Sequence, residues 1–229
     1  ITAPLPNSAN ADGEMPAGDL IADAQLAATQ PAALGGAVMA FMNAGGVRNP
    51  GFAFSGAVYP YNVTYGNAFT VQPFGNSLVT MTLTTQQIKD LLEQQFSGCK
   101  GQTANRILQI SNGLSYTWSA SAPVCSKVQD VSLTSTDVTV VPPTTAGTTE
   151  ALVIAGVVQN PGRTYRVTVN NFIATGGDNF TTLLGGTNLL GGAQDIDALV
   201  AYLAAYRAPA AAYDPADPLL KKPRIVRLP

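Results

Sequence analysis

With 229 residues, 46% of them hydrophobic and 11% charged, and a formal charge of −2, the sequence holds ample apolar material for one large domain or two small ones. Its twelve Lys and Arg are scattered apart from a late group, Lys221, Lys222, Arg224 and Arg227, so no basic stripe exists and polymeric DNA or RNA is not an expected partner. No apolar run approaches the roughly 18 residues that span a bilayer, and the absence of histidine argues against metal-assisted chemistry by this chain alone.

Residues 1–12 are polar and Pro-containing and read as a linker or arm. A helix is predicted near 17–29, where Leu20, Ile21, Ala24, Ala27 and Ala28 fall at helical spacing and Pro16 sits where a first-turn proline is tolerated. Ala37 to Met42 is a short apolar run that suits a buried strand. Leu78 to Leu83 alternates as a strand does. Thr84 then opens a helix over about 85–96, because Thr84 and Gln87 have capping-box spacing and Ile88, Leu91, Leu92 and Phe96 make one apolar face. Candidate strands follow at 106–111, 114–118, 128–133, 137–141, 151–158 and 164–169, with Pro142 to Gly147 as a turn or exposed loop. A last helix is predicted near 194–206. Residues 208–229 are rich in Pro and Ala, have no packing period and read as a tail. Helices at both ends and a β-rich middle predict an α+β fold: a single domain over 13–207, with a mixed β-sheet core and flanking helices.

The two cysteines, Cys99 and Cys125, suit a disulfide in an oxidising compartment, or else two buried thiols. A bridge closing a loop of that length contributes roughly 3 kcal/mol in the chain-entropy model. With neither His nor further Cys, a zinc site on these thiols is not expected.

Three Gly-containing segments carry chemistry. Asn43-Ala44-Gly45-Gly46-Val47-Arg48 ends a strand, with two glycines that let backbone approach a ligand and an arginine fork just beyond them. The alternative is a tight turn with a solvated Arg48. Pro73-Phe74-Gly75-Asn76 puts an aromatic ring in a turn, where it caps a core edge or faces a ligand. Asn170-Asn171-Phe172 through Gly176-Gly177-Asp178 sets a second ring near a carboxylate, and Asp178 either accepts from sugar hydroxyls or caps the following turn. Each segment is weak alone; together they fit a nucleotide.

In the same order along the chain, these segments resemble those of the C-terminal domain of the secreted 5′-nucleotidase and UDP-sugar hydrolase family. Glu14, Gly18, Leu20, Ile21, Asp23 and Ala24 are similar to the family's Glu-x-x-x-Gly-x-Leu-Ile-x-Asp-Ala entry helix, and Asn43 to Arg48 to its Asn-Gly-Gly-Gly-Ile-Arg. Val63-Thr64-Tyr65-Gly66, Val71 to Asn76, Leu114 to Trp118, Tyr165-Arg166-Val167 and Asn171 to Asp178 continue the likeness over about residues 13–206. Two positions depart from the family pattern: Gly13 stands where many members have Arg, and Asn179 where the usual loop has Gly.

The resemblance implies a substrate-binding domain in which Phe74 and Phe172 sandwich the base. It implies that Asn43 and Asn76 offer polar contacts, that Arg48 holds the ribose–phosphate side and that Asp178 holds the ribose hydroxyls. Gly45 and Gly46 let the backbone come close. No catalytic residue and no cofactor is expected in this chain. Two divalent metal ions are expected in an N-terminal metallophosphoesterase domain of the same polypeptide, and the location is expected to be periplasmic, secreted or cell-surface. The alternative reading is a free-standing nucleotide- or nucleoside-binding module without hydrolase activity, and a blander one is a scaffold that no longer binds.

Overall fold

The entry helix forms where the apolar spacing places it. In the computed structural model, which describes residues 1–220 and 223–229, α1 runs Pro16–Thr29 with proline in its first turn. Leu20, Ile21 and Leu26 are fully buried. A Cβ on Gly18 would lie 2.3 Å from the Gln109 side chain, so only glycine lets α1 sit this close to its neighbouring strand. Next come β1 (Met39–Asn43), buried throughout, and a short helix α2 (Tyr65–Val71). Strand β2 (Ser77–Thr84) leads into α3 (Thr85–Gln94). The capping box is present: Thr84 Oγ1 accepts from the Gln87 amide at 3.2 Å and Gln87 Oε1 from the Thr84 amide at 2.9 Å.

The β-rich middle comprises β3 (Leu108–Ile110), β4 (Leu114–Ser119), β5 (Val128–Asp137), β6 (Thr144–Ile154), β7 (Val157–Val158) and β8 (Thr164–Asn170). After it come one helical turn, α4 (Asn171–Ala174), then β9 (Thr187–Gln194), α5 (Asp195–Ala205) and β10 (Ile225–Leu228). The strands form two mixed sheets of five, ordered β3-β1-β8-β2-β9 and β10-β4-β5-β6-β7. In the first, β1 and β8 are parallel and β2 is antiparallel to β8. The α+β expectation holds, with two sheets where one was anticipated.

Side chains alternate across β1, as a strand's period of two requires. Met39 and Phe41 join a core with Ile88, Leu91 and Leu92 of α3 and Val131 and Leu152 of the second sheet. Met42 faces the opposite side, in a core built from α1, α5 and both chain ends. The first sheet thus lies between α1 and α5 on one face and α3 with the second sheet on the other.

Three local expectations change. The segment 128–133 extends as β5 to Asp137, and residues 138–141 form no strand. Strand β6 begins at Thr144, inside the expected 142–147 loop, because pairing starts as soon as Pro142 and Pro143, which lack amide donors, are passed. Segment 151–158 is cut by a turn at Ala155 and Gly156, whose φ values are +46° and +79°.

The chain ends also differ from the expected arm and tail. Leu5 is 1% exposed and exchanges backbone hydrogen bonds with Phe52. In the tail, Tyr213, Leu220, Arg224 and Ile225 are buried, and β10 pairs in parallel with β4. The Arg224 guanidinium forks onto Asp23 with two bonds of 2.8 Å and reaches the Ile110 carbonyl at 2.8 Å. Isolated anchors of this kind leave no period in the sequence, and the folded unit extends well past residue 207. Of the late basic group, Arg224 is buried and Arg227 lies over the Trp118 ring at 5.4 Å; Lys221 and Lys222 lie outside the described residues. Cys99 and Cys125 are disulfide-bonded, with Cα atoms 5.1 Å apart. Among the described residues no helix is long and apolar enough to cross a membrane.

Candidate functional site

The order of the first sheet brings the three Gly-containing segments together. β1 ends at Asn43 and its parallel neighbour β8 ends at Asn170, while the antiparallel β2 begins at Ser77, with Leu78 opposite Asn170. The loops that follow β1 and β8 and the loop that precedes β2 therefore leave the sheet at the same edge. Crevices outside the carboxyl ends of parallel strands are where open α/β sheets bind ligands.

At this edge Asn170 and Asn43, both buried, form a relay. Asn170 Oδ1 caps α4 by accepting from the Ile173 amide at 3.1 Å, and its Nδ2 donates to Asn43 Oδ1 at 2.9 Å. Asn43 Nδ2 donates in turn to Asp178 Oδ2 at 2.8 Å. Asn43 is thus committed to orienting the Asp178 carboxylate. Gly46 is closely packed: a Cβ there would sit 2.4 Å from the Met42 methyl carbon, which would have to move, and 3.1 Å from Asn43 Oδ1. At Gly45 a Cβ would lie 3.6 Å from Asp178 Oδ2, so the backbone of this loop passes beside the carboxylate.

Both rings are unusually open for phenylalanine, Phe74 at 52% and Phe172 at 45% exposed. The Arg48 guanidinium lies 5.6 Å from the Phe74 ring centroid, within cation–π range. That covers one ring face, so a flat ligand can take only the other. Phe172 lies on the glycine loop: a Cβ on Gly177 would stand 2.8 Å from two ring carbons. Beyond it, Asp178 and Asn179 have φ of +55° and +63°. Asparagine tolerates the left-handed region, so residue 179 adopts it without the glycine that the family pattern has there. Phe180 is fully buried and anchors the loop from below.

Asn76 is placed differently from the other predicted site residues. Its Nδ2 donates to Asp195 Oδ2 at 3.2 Å and its carbonyl accepts from the Asp195 amide at 2.8 Å. It therefore secures the start of α5. Burial pushes the Asp195 carboxyl up, partly offset by hydrogen bonds from Asn76 and from the Ile196 amide.

Arg106 and Gln102, both bonded to Asp178, were not foreseen at the site. Arg106 Nη1 pairs with Asp178 Oδ1 at 3.1 Å across 72 positions of sequence. Nothing in the local sequence around Arg106 signals this, since it lies in irregular chain between α3 and β3. A cleft of about 570 Å³ between the N-terminal arm and the tail, lined in part by Leu5, Glu14, Asp19 and Tyr213, holds none of the predicted site residues. Among the described residues no group of three or more His, Cys, Asp or Glu is arranged to hold a metal ion.

A family model described as the 5′-nucleotidase C-terminal domain matches residues 2–185. The chain belongs to that family. A solved structure, a 5′-nucleotidase precursor from Thermus thermophilus, is 31% identical with a TM-score of 0.66, and the match covers 94% of this chain and 36% of that one. Two curated proteins of Bacillus subtilis (strain 168) are also similar. Endonuclease YhcR is 29% identical over 202 residues, covering 87% of this chain and 13% of that protein. The trifunctional nucleotide phosphoesterase protein YfkN is 32% identical over 164 residues, covering 72% of this chain and 9% of that protein. This 5′-nucleotidase C-terminal domain thus spans a small part of the curated relatives and about a third of the solved one.

Proposed function

We propose that this domain binds a nucleotide or nucleoside and positions it for a 5′-nucleotidase-type phosphohydrolase that works outside the cytoplasm. The base stacks against Phe74 and Phe172, Arg48 holds the ribose–phosphate side, and Asp178 accepts from the ribose hydroxyls. Asn43 aims Asp178, Gly45 and Gly46 keep the backbone close, and Asn76 acts from the rim. The observation that supports this reading is that the loops bearing two half-exposed phenylalanine rings, Arg48 and Asp178 all leave the first sheet at one end, with Arg48 over Phe74 and Gly45 beside the Asp178 carboxylate. The cross-link between Cys99 and Cys125 supports the extracytoplasmic location.

Two divalent ions are proposed for a metallophosphoesterase domain of the same polypeptide. They would supply Lewis-acid activation of water and phosphate there. The described residues do not suit such a site, since the chain has no histidine and no described group of three or more Cys, Asp or Glu is arranged to hold a metal ion. What this domain contributes is orientation.

The test is calorimetric titration of the chain with adenosine and AMP. A Phe172→Ala variant is expected to lose about 1–3 kcal/mol of affinity, the worth of one base–aromatic stack. Equal affinity in the variant and the parent refutes the stacking. The chain alone is expected to leave AMP intact, read as released phosphate.

A further inference from the structure

We propose that Gln102 and Arg106 are positioning residues that aim the Asp178 carboxylate at a sugar diol, making the site selective for ribose over deoxyribose. The inference rests on the reading of Asp178 given above and adds the residues that hold it.

Asp178 occupies a strained place. It and Asn179 both lie in the left-handed region, uncommon outside glycine, and such conformations persist only when neighbours over-determine them. Two of the constraints come from the segment between Cys99 and Arg106. Gln102 Nε2 donates to the Asp178 carbonyl at 3.0 Å, fixing the backbone, and Arg106 Nη1 donates to Oδ1 at 3.1 Å, fixing the side chain. Asn43 holds Oδ2 from the opposite side. Each carboxylate oxygen therefore receives one of these protein donors. An ionised carboxylate has about four acceptor sites, so each oxygen keeps capacity for one more donor, and a vicinal diol brings two.

The clamp itself is anchored. The Gln102 amide closes a turn onto the Cys99 carbonyl at 2.9 Å, beside the disulfide, and the Arg106 amide bonds the Gln95 carbonyl at 2.7 Å. Arg106 also differs from the structural arginines of this chain. Arg224 and Arg166 each spread their donors over several acceptors. Arg106 has Asp178 as its one side-chain partner among the described residues, and its buried Nε has none. A buried donor left unpaired is disfavoured and calls for an explanation. Holding one carboxylate in a set direction supplies it.

The experiment measures the dissociation constants of adenosine and 2′-deoxyadenosine for the chain and for Arg106→Ala, Arg106→Lys, Gln102→Ala, Asp178→Ala and Phe172→Ala. The parent is expected to prefer adenosine by about tenfold, the scale of one hydrogen bond to a charged group. Arg106→Ala brings that ratio towards one by weakening adenosine alone, and Arg106→Lys restores part of it. Should Arg106→Ala fail to fold, Gln102→Ala, which removes the tether to the Asp178 carbonyl together with a local bond from the Thr103 amide to Gln102 Oε1, is expected to show the same loss of selectivity. An unchanged ratio in Arg106→Ala or Gln102→Ala, while Asp178→Ala abolishes it, overturns the proposal and leaves the proposed function standing. Loss of both nucleosides in equal measure overturns it as well. If the parent binds neither nucleoside, or Phe172→Ala binds adenosine as the parent does, the stacking reading falls and takes this one with it.

Discussion

Replacing Gly177 by alanine perturbs the Phe172 ring without touching its side chain. Gly177 is not among the residues with positive φ, so alanine meets no backbone strain there. The obstacle is space: its Cβ would stand 2.5 Å from the Phe172 carbonyl oxygen and 2.8 Å from ring carbons Cδ1 and Cε1. Carbon atoms pack at about 3.5–4.0 Å, so ring and loop must separate by roughly an ångström. The ring can swing, but the carbonyl is backbone and also accepts from Thr175 Oγ1 at 3.1 Å. Overpacking of this kind costs about 1–3 kcal/mol, which for a chain of this size lowers Tm by about 2–4 °C per kcal/mol. The control is Gly156→Ala, remote from the site, where φ is +79° and the nearest atom to a new Cβ is 3.9 Å away. It costs about 1–2 kcal/mol through the left-handed backbone alone. Thermal melts are expected to show both variants destabilised, and calorimetry with adenosine to show about tenfold weaker binding in Gly177→Ala only. Parent-like affinity in Gly177→Ala, with its Tm lowered, refutes the placement of the Phe172 ring on the ligand surface.

Arg224→Met leaves the Asp23 carboxylate buried without its fork, and such a loss costs about 3–5 kcal/mol. Urea unfolding should show a midpoint well below the parent's; an unchanged midpoint means that the tail adds nothing to the fold. Asp19 gives a pH test. Burial raises its carboxyl well above the ordinary range, with the nearby Arg224 opposing and Glu14 and Asp23 adding to the rise, and its Oδ1 has no partner among the described residues. Because the folded state binds that proton more tightly, its stabilisation is complete below the unfolded value, about 3.9, and is lost as pH rises through the folded value. Asp19→Asn does not titrate, so its stability relative to the parent should climb as pH rises from about 4. A difference that is flat with pH contradicts the assignment.

What could be read from sequence is what local patterns specify. Helices α1 and α3 carry their own apolar faces, and Thr84 and Gln87 announce the start of α3. Helix α2 was overlooked because it turns Tyr65 and Phe69 outward and shows no apolar face, although Thr64 and Asn67 form a capping box. Strand β9 has eight exposed residues, including Gly191 and Gly192, and exists because β2 offers it a partner. No local stretch of sequence contains that information. At the site the same division holds. Phe74 stood out because a ring in a Pro-Phe-Gly turn has few places to hide. Asn76, for which the family resemblance implies a polar contact to the ligand, is held by Asp195, which lies 119 positions away.

The site is therefore a property of register as much as of residue identity. A one-residue slip of β8 against β2 would turn every β8 side chain to the opposite face and carry Asn170 away from Asn43. Beneath the site, buried hydroxyls oppose such a slip. Thr168 Oγ1 of β8 lies 2.6 Å from Thr29 Oγ1 of α1 and 3.1 Å from Thr80 Oγ1 of β2. Slipping either strand would separate these groups in a region closed to water, leaving buried polar atoms unpaired at about 1–3 kcal/mol each. The threonines sit too deep to meet a ligand, yet they fix the strand ends from which Asn43, Asn170 and the glycine loop project. The placement of Phe172 and Asp178, on which the proposed binding of a base and a sugar diol depends, is set two residues down β8, inside the sheet.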